Sequence, residues 1–151
     1  MKINIRKGDG SKMKTLKIIP TPSFIVPEGV YRAKVEAVRD SQEMSGGCIV
    51  NMIRLVFDIY DDTGKYVIYK AGKKYLADLT NASDFRKDLI NWGILGDIDC
   101  GEFDPETLHG KEADIVMKQY WNPNYPQPYC AIAGIFPAGF MIKTVSPQMV
   151  A

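Results

Sequence analysis

The sequence predicts a mainly β fold: a five-stranded Greek-key barrel with one α-helix between strands 3 and 4. Three observations predict it. Apolar and polar residues alternate in several separate stretches, turn-forming residues stand between those stretches, and a single segment carries apolar residues at helical spacing. With 151 residues, 46% of them hydrophobic, the chain can bury a core without disulfides or metals. Its longest apolar stretches, such as 131–142, are interrupted by Gly134, Pro137 and Gly139. They fall short of the roughly 20 residues that a membrane-spanning helix needs, so no membrane partner is expected.

The elements follow in order. Residues 1–27 read as a basic arm, extended around Phe24 to Val26, because Gly8, Gly10, Pro20, Pro22 and Pro27 punctuate it. The folded body is expected over 28–140, with 141–151 as a tail. From Val30 to Arg39, Tyr31, Ala33, Val35 and Ala37 alternate with Arg32, Lys34 and Glu36, the pattern of a half-buried strand. Asp40 to Gly47, rich in Ser and Gly, reads as a flexible connection. Strand 2 places Ile49, Ile53, Leu55, Phe57 and Ile59 on one face. Asp61 to Gly64 forms a hairpin turn, with Gly64 supplying positive φ. Strand 3 runs from Lys65 to about Tyr69 and continues over Lys74 to Leu79 after a break at Gly72.

Ser83 as N-cap, Asp84 in the first turn, Phe85, Leu89 and Trp92 on one face and Gly93 at the end predict a helix of about three turns. Leu95 to Leu108 is acidic and irregular, with a short turn opened by Asp104 and Pro105. Glu112 to Tyr120 reads as strand 4, Ala113, Ile115 and Met117 alternating with Asp114, Val116 and Lys118, and Tyr129 to Phe136 as strand 5. Between them lies a proline-aromatic loop, Trp121 to Pro128. A helix between strands 3 and 4 of five is the order of the oligonucleotide-binding barrel.

Charge is distributed unevenly. Residues 1–39 hold nine Lys or Arg against three acids, and the remainder ten against fifteen. A basic leading segment can follow a phosphate backbone, and is equally common where nothing is bound. Met1 to Gly10 lacks the apolar centre of a secretory signal, so a cytoplasmic location is expected. Cys48, Cys100 and Cys130 are too few and too dispersed for a disulfide framework or a paired zinc site.

The segments Glu28-Gly29-Val30-Tyr31, Ile53-Arg54-Leu55-Val56-Phe57-Asp58-Ile59, Ser83 to Trp92 and Leu108-His109-Gly110-Lys111 carry a resemblance. Over about residues 28–137 the chain resembles a family of small phage and prophage proteins, formerly uncharacterised, that are encoded among replication and recombination genes. The resemblance implies an oligonucleotide-binding type of fold, single-stranded DNA as partner, and a role as a replication or recombination accessory alongside other phage proteins. The long arm and the proline-aromatic loop depart from the family.

Single strands are bound without sequence preference by rings that stack on bases and cations that follow phosphates. Arg54, Lys70, Lys73 and Lys74 are the candidate cations, and Tyr66, Tyr69, Trp121 and Tyr125 the candidate rings. Any one of these tyrosines is as readily a barrel cap, since tyrosine is enriched in strands. A second reading is a protein-interaction or self-assembling module, a homo-oligomer joined through the proline-aromatic loop, because Val50, Met52 and Val56 point outward.

No enzyme is expected, and no cofactor. His109 is the only histidine, which leaves no His-assisted nucleophile or multi-His metal site. Gly110-Lys111 is followed by Glu112 instead of Ser or Thr, so it is no phosphate loop. Asp97, Asp99, Glu102, Asp104 and Glu106 fail the EF-hand spacing and read as a solvated loop. A magnesium nuclease is a weaker third alternative, since no carboxylate pair stands out.

Overall fold

A computed structural model describes residues 14–19, 21–96, 101–124 and 126–142. Five strands, β1 (Gly29–Ser45), β2 (Cys48–Tyr60), β3 (Val67–Leu76), β4 (Glu112–Tyr120) and β5 (Tyr129–Pro137), form one antiparallel sheet in the order β3-β2-β1-β4-β5. A helix, α1 (Asp84–Asn91), and a 3-10 turn (Pro105–Leu108) separate β3 from β4. Among the described residues no ladder joins the edges β3 and β5, so the sheet is open where a closed barrel was expected; α1 packs against both edges. No described helix is long and apolar enough to cross a membrane.

One face of the sheet makes the core. Alternation along β2 buries Ile53, Leu55, Phe57 and Ile59, which meet Phe85 and Leu89 of α1, Trp92 just beyond it, and Ile115 and Ile135. The helix begins as its sequence dictates: the Ser83 hydroxyl accepts the Arg86 N–H at 3.0 Å. Gly93, at φ +83°, closes it. It spans eight residues, about two turns, one fewer than expected. The Trp92 indole N–H donates to the Glu112 carbonyl at 2.8 Å, tying the helix to the start of β4.

Strand β1 is longer than its alternation indicated, since Asp40 to Ser45 continue it instead of forming a loop. Gly46 and Gly47, both at positive φ, make a two-residue turn of the type I′ kind that fits the twist of a hairpin, and Ser45 pairs with Cys48. This distal hairpin projects beyond the core, which leaves Ile49 exposed although it shares the parity of Ile53. A β-bulge between Val35 and Ala37 inserts one extra residue, so Val38, and not Ala37, faces Leu55 on the core side. Gly72 does not break β3; it sits opposite Val56 within a continuous ladder.

Segments on either side of the five strands, 23–26 and 139–142, close over the sheet. Ser23 forms a parallel bridge with Tyr69: its N–H donates to the Ile68 carbonyl and its carbonyl accepts from Lys70. Val26 enters the core. The last part of the arm thus covers the free edge of β3. Asp114, expected to point outward among polar residues, is fully buried. One of its oxygens accepts the N–H groups of Gly139, Met141 and Ile142 at 3.1, 2.9 and 2.7 Å, and the other accepts from Arg32 Nε at 2.7 Å.

Candidate functional site

The outer face of β1, β2 and β3 is built by register. In antiparallel pairs, directly opposed residues point to the same side. Arg39 lies opposite Arg54, and Arg54 opposite Lys74, so three cations stand abreast on adjacent strands, all exposed. Strands about 4.8 Å apart put the outer two roughly 10 Å from each other. Like charges in opposed positions are mutually destabilising. Lys74 is partly neutralised by Glu43 at 2.8 Å, whereas Arg39 and Arg54 form no ion pair among the described residues. Gly72 serves this row: a Cβ there would lie 3.0 Å from an Arg54 guanidinium nitrogen, so the bare backbone leaves Arg54 room to lie across β3.

A second row, Lys34, Asp58 and Lys70, alternates in sign. Lys70 binds Asp58 directly and lies 3.8 Å from Glu36; the hydrogen bond to Asp58 raises its pKa. Lys34 stands 6.0 Å over the Tyr60 ring. This row is internally neutralised, and its capacity to hold a phosphate is correspondingly lower.

The remaining predicted residues are dispersed. Lys73, opposite Leu55, reaches Asp88 of α1 at 2.7 Å and covers Tyr75 at 5.2 Å. Tyr75 is buried and donates its hydroxyl to Asp88 at 2.6 Å; burial first and Asp88 second push its pKa up. Tyr69 is half-buried, its ring edge-on to Tyr31 at 5.7 Å. Tyr66 is half-exposed beside the Asp61 turn, where Asp61 accepts from Thr63, Lys65 and Tyr66 and is thereby held below the usual carboxylate range. Trp121 is 74% exposed. It lies beyond Met117, which pairs with Gly29 at the start of β1, whereas Arg39 lies ten residues further along, roughly 33 Å of extended chain. Tyr125 lies outside the described residues.

Of the predicted set, Arg54 and Lys74 share one row, Lys70 stands two rows along, past Ala37, Val56 and Gly72, and Lys73 turns to the helix. Sequence reasoning missed Arg39, because the bulge that sends it outward leaves no mark in the alternation. Outside β1, the clasp of Gly139 to Ile142 buries Asp114 on the outer face of β4, while Glu112, Lys118 and Tyr120 on the same face stay exposed. No group of three or more His, Cys, Asp or Glu among the described residues is placed to hold a metal ion. Asp97 and Asp99 lie outside the described residues, while Asp104 caps the 3-10 turn by accepting from the Glu106 N–H at 3.0 Å. Compared with known proteins, the chain matches no family model and no curated sequence.

Proposed function

We propose that the protein binds single-stranded DNA across the outer face of β1, β2 and β3, as an accessory in phage or prophage replication or recombination. The observation that carries the reading is the row Arg39, Arg54 and Lys74. Three exposed cations held abreast by backbone register cost stability unless an anion relieves them, and a phosphate chain crossing the strands supplies successive negative charges. The fold proposed with it is an oligonucleotide-binding barrel whose last seam, between β3 and β5, is filled by α1. Strand order and helix position support it. Trp121, exposed in the loop between β4 and β5, supplies a stacking ring at the far end of the path.

Titration of fluorescent oligo-dT between about 50 and about 200 mM salt tests the reading. Three phosphate contacts give a log–log salt slope of about −2, and Arg39→Ala or Arg54→Ala reduces it by about 0.7 while weakening binding. Lys87→Ala, on the exposed side of α1, serves as the control. Because Trp92 is buried, quenching of indole emission reports Trp121. Absence of binding at low salt, salt-indifferent binding, or an Arg54→Ala variant indistinguishable from Lys87→Ala would sink the proposal.

A further inference from the structure

Two apolar surfaces of this chain are left uncovered at opposite ends of β3. The first is the arm, where Leu16 and Ile18 are 90% and 98% exposed and alternate with Lys17, Lys14 standing just before them. The second lies on the core-side face of the distal hairpin. There Asp40, Gln42 and Met44 of β1 oppose Ile53, Asn51 and Ile49 of β2, and the sheet continues past the last residue the core covers. A groove of about 560 Å³ opens on it, with Asp40, Gln42, Asn51, Ile53 and Ala77 among its lining residues. At its outer end Met44 and Ile49, directly paired, are 68% and 67% exposed.

We propose that these two surfaces meet between copies, the arm of one chain lying in the hairpin groove of the next. Three features favour this occupant. The parallel bridge of Ser23 with Tyr69 sends the residues before it toward the start of β3, whereas the groove lies at Ala77, just past its end. The arm therefore points away from its own groove, and its apolar residues remain uncovered on the chain that bears them. The chemistry is complementary as well. Leu16 and Ile18, spaced two apart in extended chain, offer apolar contacts on one side to Ile49 and Met44, and Lys14 and Lys17 bring positive charge to Asp40 and to Asp78 beside Ala77. Asp40, Lys14 and Lys17 have no ion-pair partner among the described residues. Because arm and groove are different patches, the contact is heterologous, and successive copies add to one another as a ring or a chain.

Sedimentation velocity of the full chain without nucleic acid tests this with two variants at exposed positions, so that the fold is preserved. Leu16→Asp/Ile18→Asp disables the arm and leaves the groove; Ile49→Asp disables the groove and leaves the arm. The expected result is concentration-dependent association of the wild type, monomers for each variant alone, and a 1:1 dimer when the two are mixed, since each supplies the half the other lacks. Circular dichroism of each variant should match the wild type. A wild type that stays monomeric at every concentration overturns the proposal. So does association that survives Ile49→Asp, which would place the arm on the β3 edge of its neighbour instead, or a mixture that remains monomeric.

Discussion

Replacing Asp114 by asparagine changes almost no volume but removes the charge from a carboxylate that is fully buried and accepts three backbone N–H groups and Arg32. A hydrogen bond to a charged group contributes about 1.5–3 kcal/mol, against about 1 kcal/mol for a neutral one. Downgrading four such bonds by about 0.5–1 kcal/mol each gives a loss of about 2–4 kcal/mol. The new amide also turns either its NH2 toward Arg32 or a donor toward the three N–H groups, so the loss belongs in the upper half of that range. For a chain of this size, 3 kcal/mol corresponds to a fall in Tm of roughly 6–12 °C. Urea melts supply the free energy, with an unchanged m-value showing that the native and denatured states keep their extent. Hydrogen exchange locates it: the amides of Gly139, Met141 and Ile142 should lose protection before those of α1. A double-mutant cycle with Arg32→Met isolates the ion pair. A loss below about 1 kcal/mol, or a larger one without faster exchange at 139–142, would refute the assignment of Asp114 as the clasp.

Two further outcomes follow from the same geometry. Ser83→Ala removes the acceptor of the Arg86 N–H and should cost about 1 kcal/mol by denaturant melt, while Ser83→Gly or Ser83→Asp should cost less. Stability should decline above pH 10: the unfolded chain releases the Tyr75 proton near the ordinary value of 10.0, whereas the folded chain, its pKa raised by burial and Asp88, retains it. The folded state then binds more protons than the unfolded, so the contribution is complete below pH 10 and falls by up to about 1.4 kcal/mol per pH unit above it. Tyr75→Phe should flatten that part of the alkaline limb, and a limb of unchanged slope in this variant would count against the buried hydroxyl as its source.

Where burial and chain chemistry agree, the structure was legible in the residues. The bounds of β4, the Ser83 cap, Gly93 at the helix end and the buried parity of Ile53, Leu55, Phe57 and Ile59 all appear as read. The second half of β1 was hidden because it carries no burial period: Ser41 and Gln42 are exposed on opposite faces of a hairpin that projects past the core. Asp114 was misjudged because what buries it is the chain after β5, twenty-five residues away in sequence and beyond. The candidate site was legible as a face of β2 and β3 but not as a row. Lys73 and Lys74, named together, must point to opposite sides of β3, and the third member of the row belongs to β1, whose pairing no local pattern reveals.

The bulge beside Glu36 reaches further than its one residue. Plain pairing continued from Val35 and Phe57 would set Val38 against Arg54 and Arg39 against Ile53. The inserted residue shifts the frame by one, and everything distal to it on β1 exchanges sides. Deleting Glu36 would remove the bulge and leave Ala37 opposite Val56, Val38 opposite Leu55 and Arg39 opposite Arg54 in an unbroken ladder. Pairing Glu36 with Val56, by contrast, would turn an arginine toward the interior and a valine toward solvent without altering either residue. On this strand, a single residue left out of the ladder decides which surface is charged.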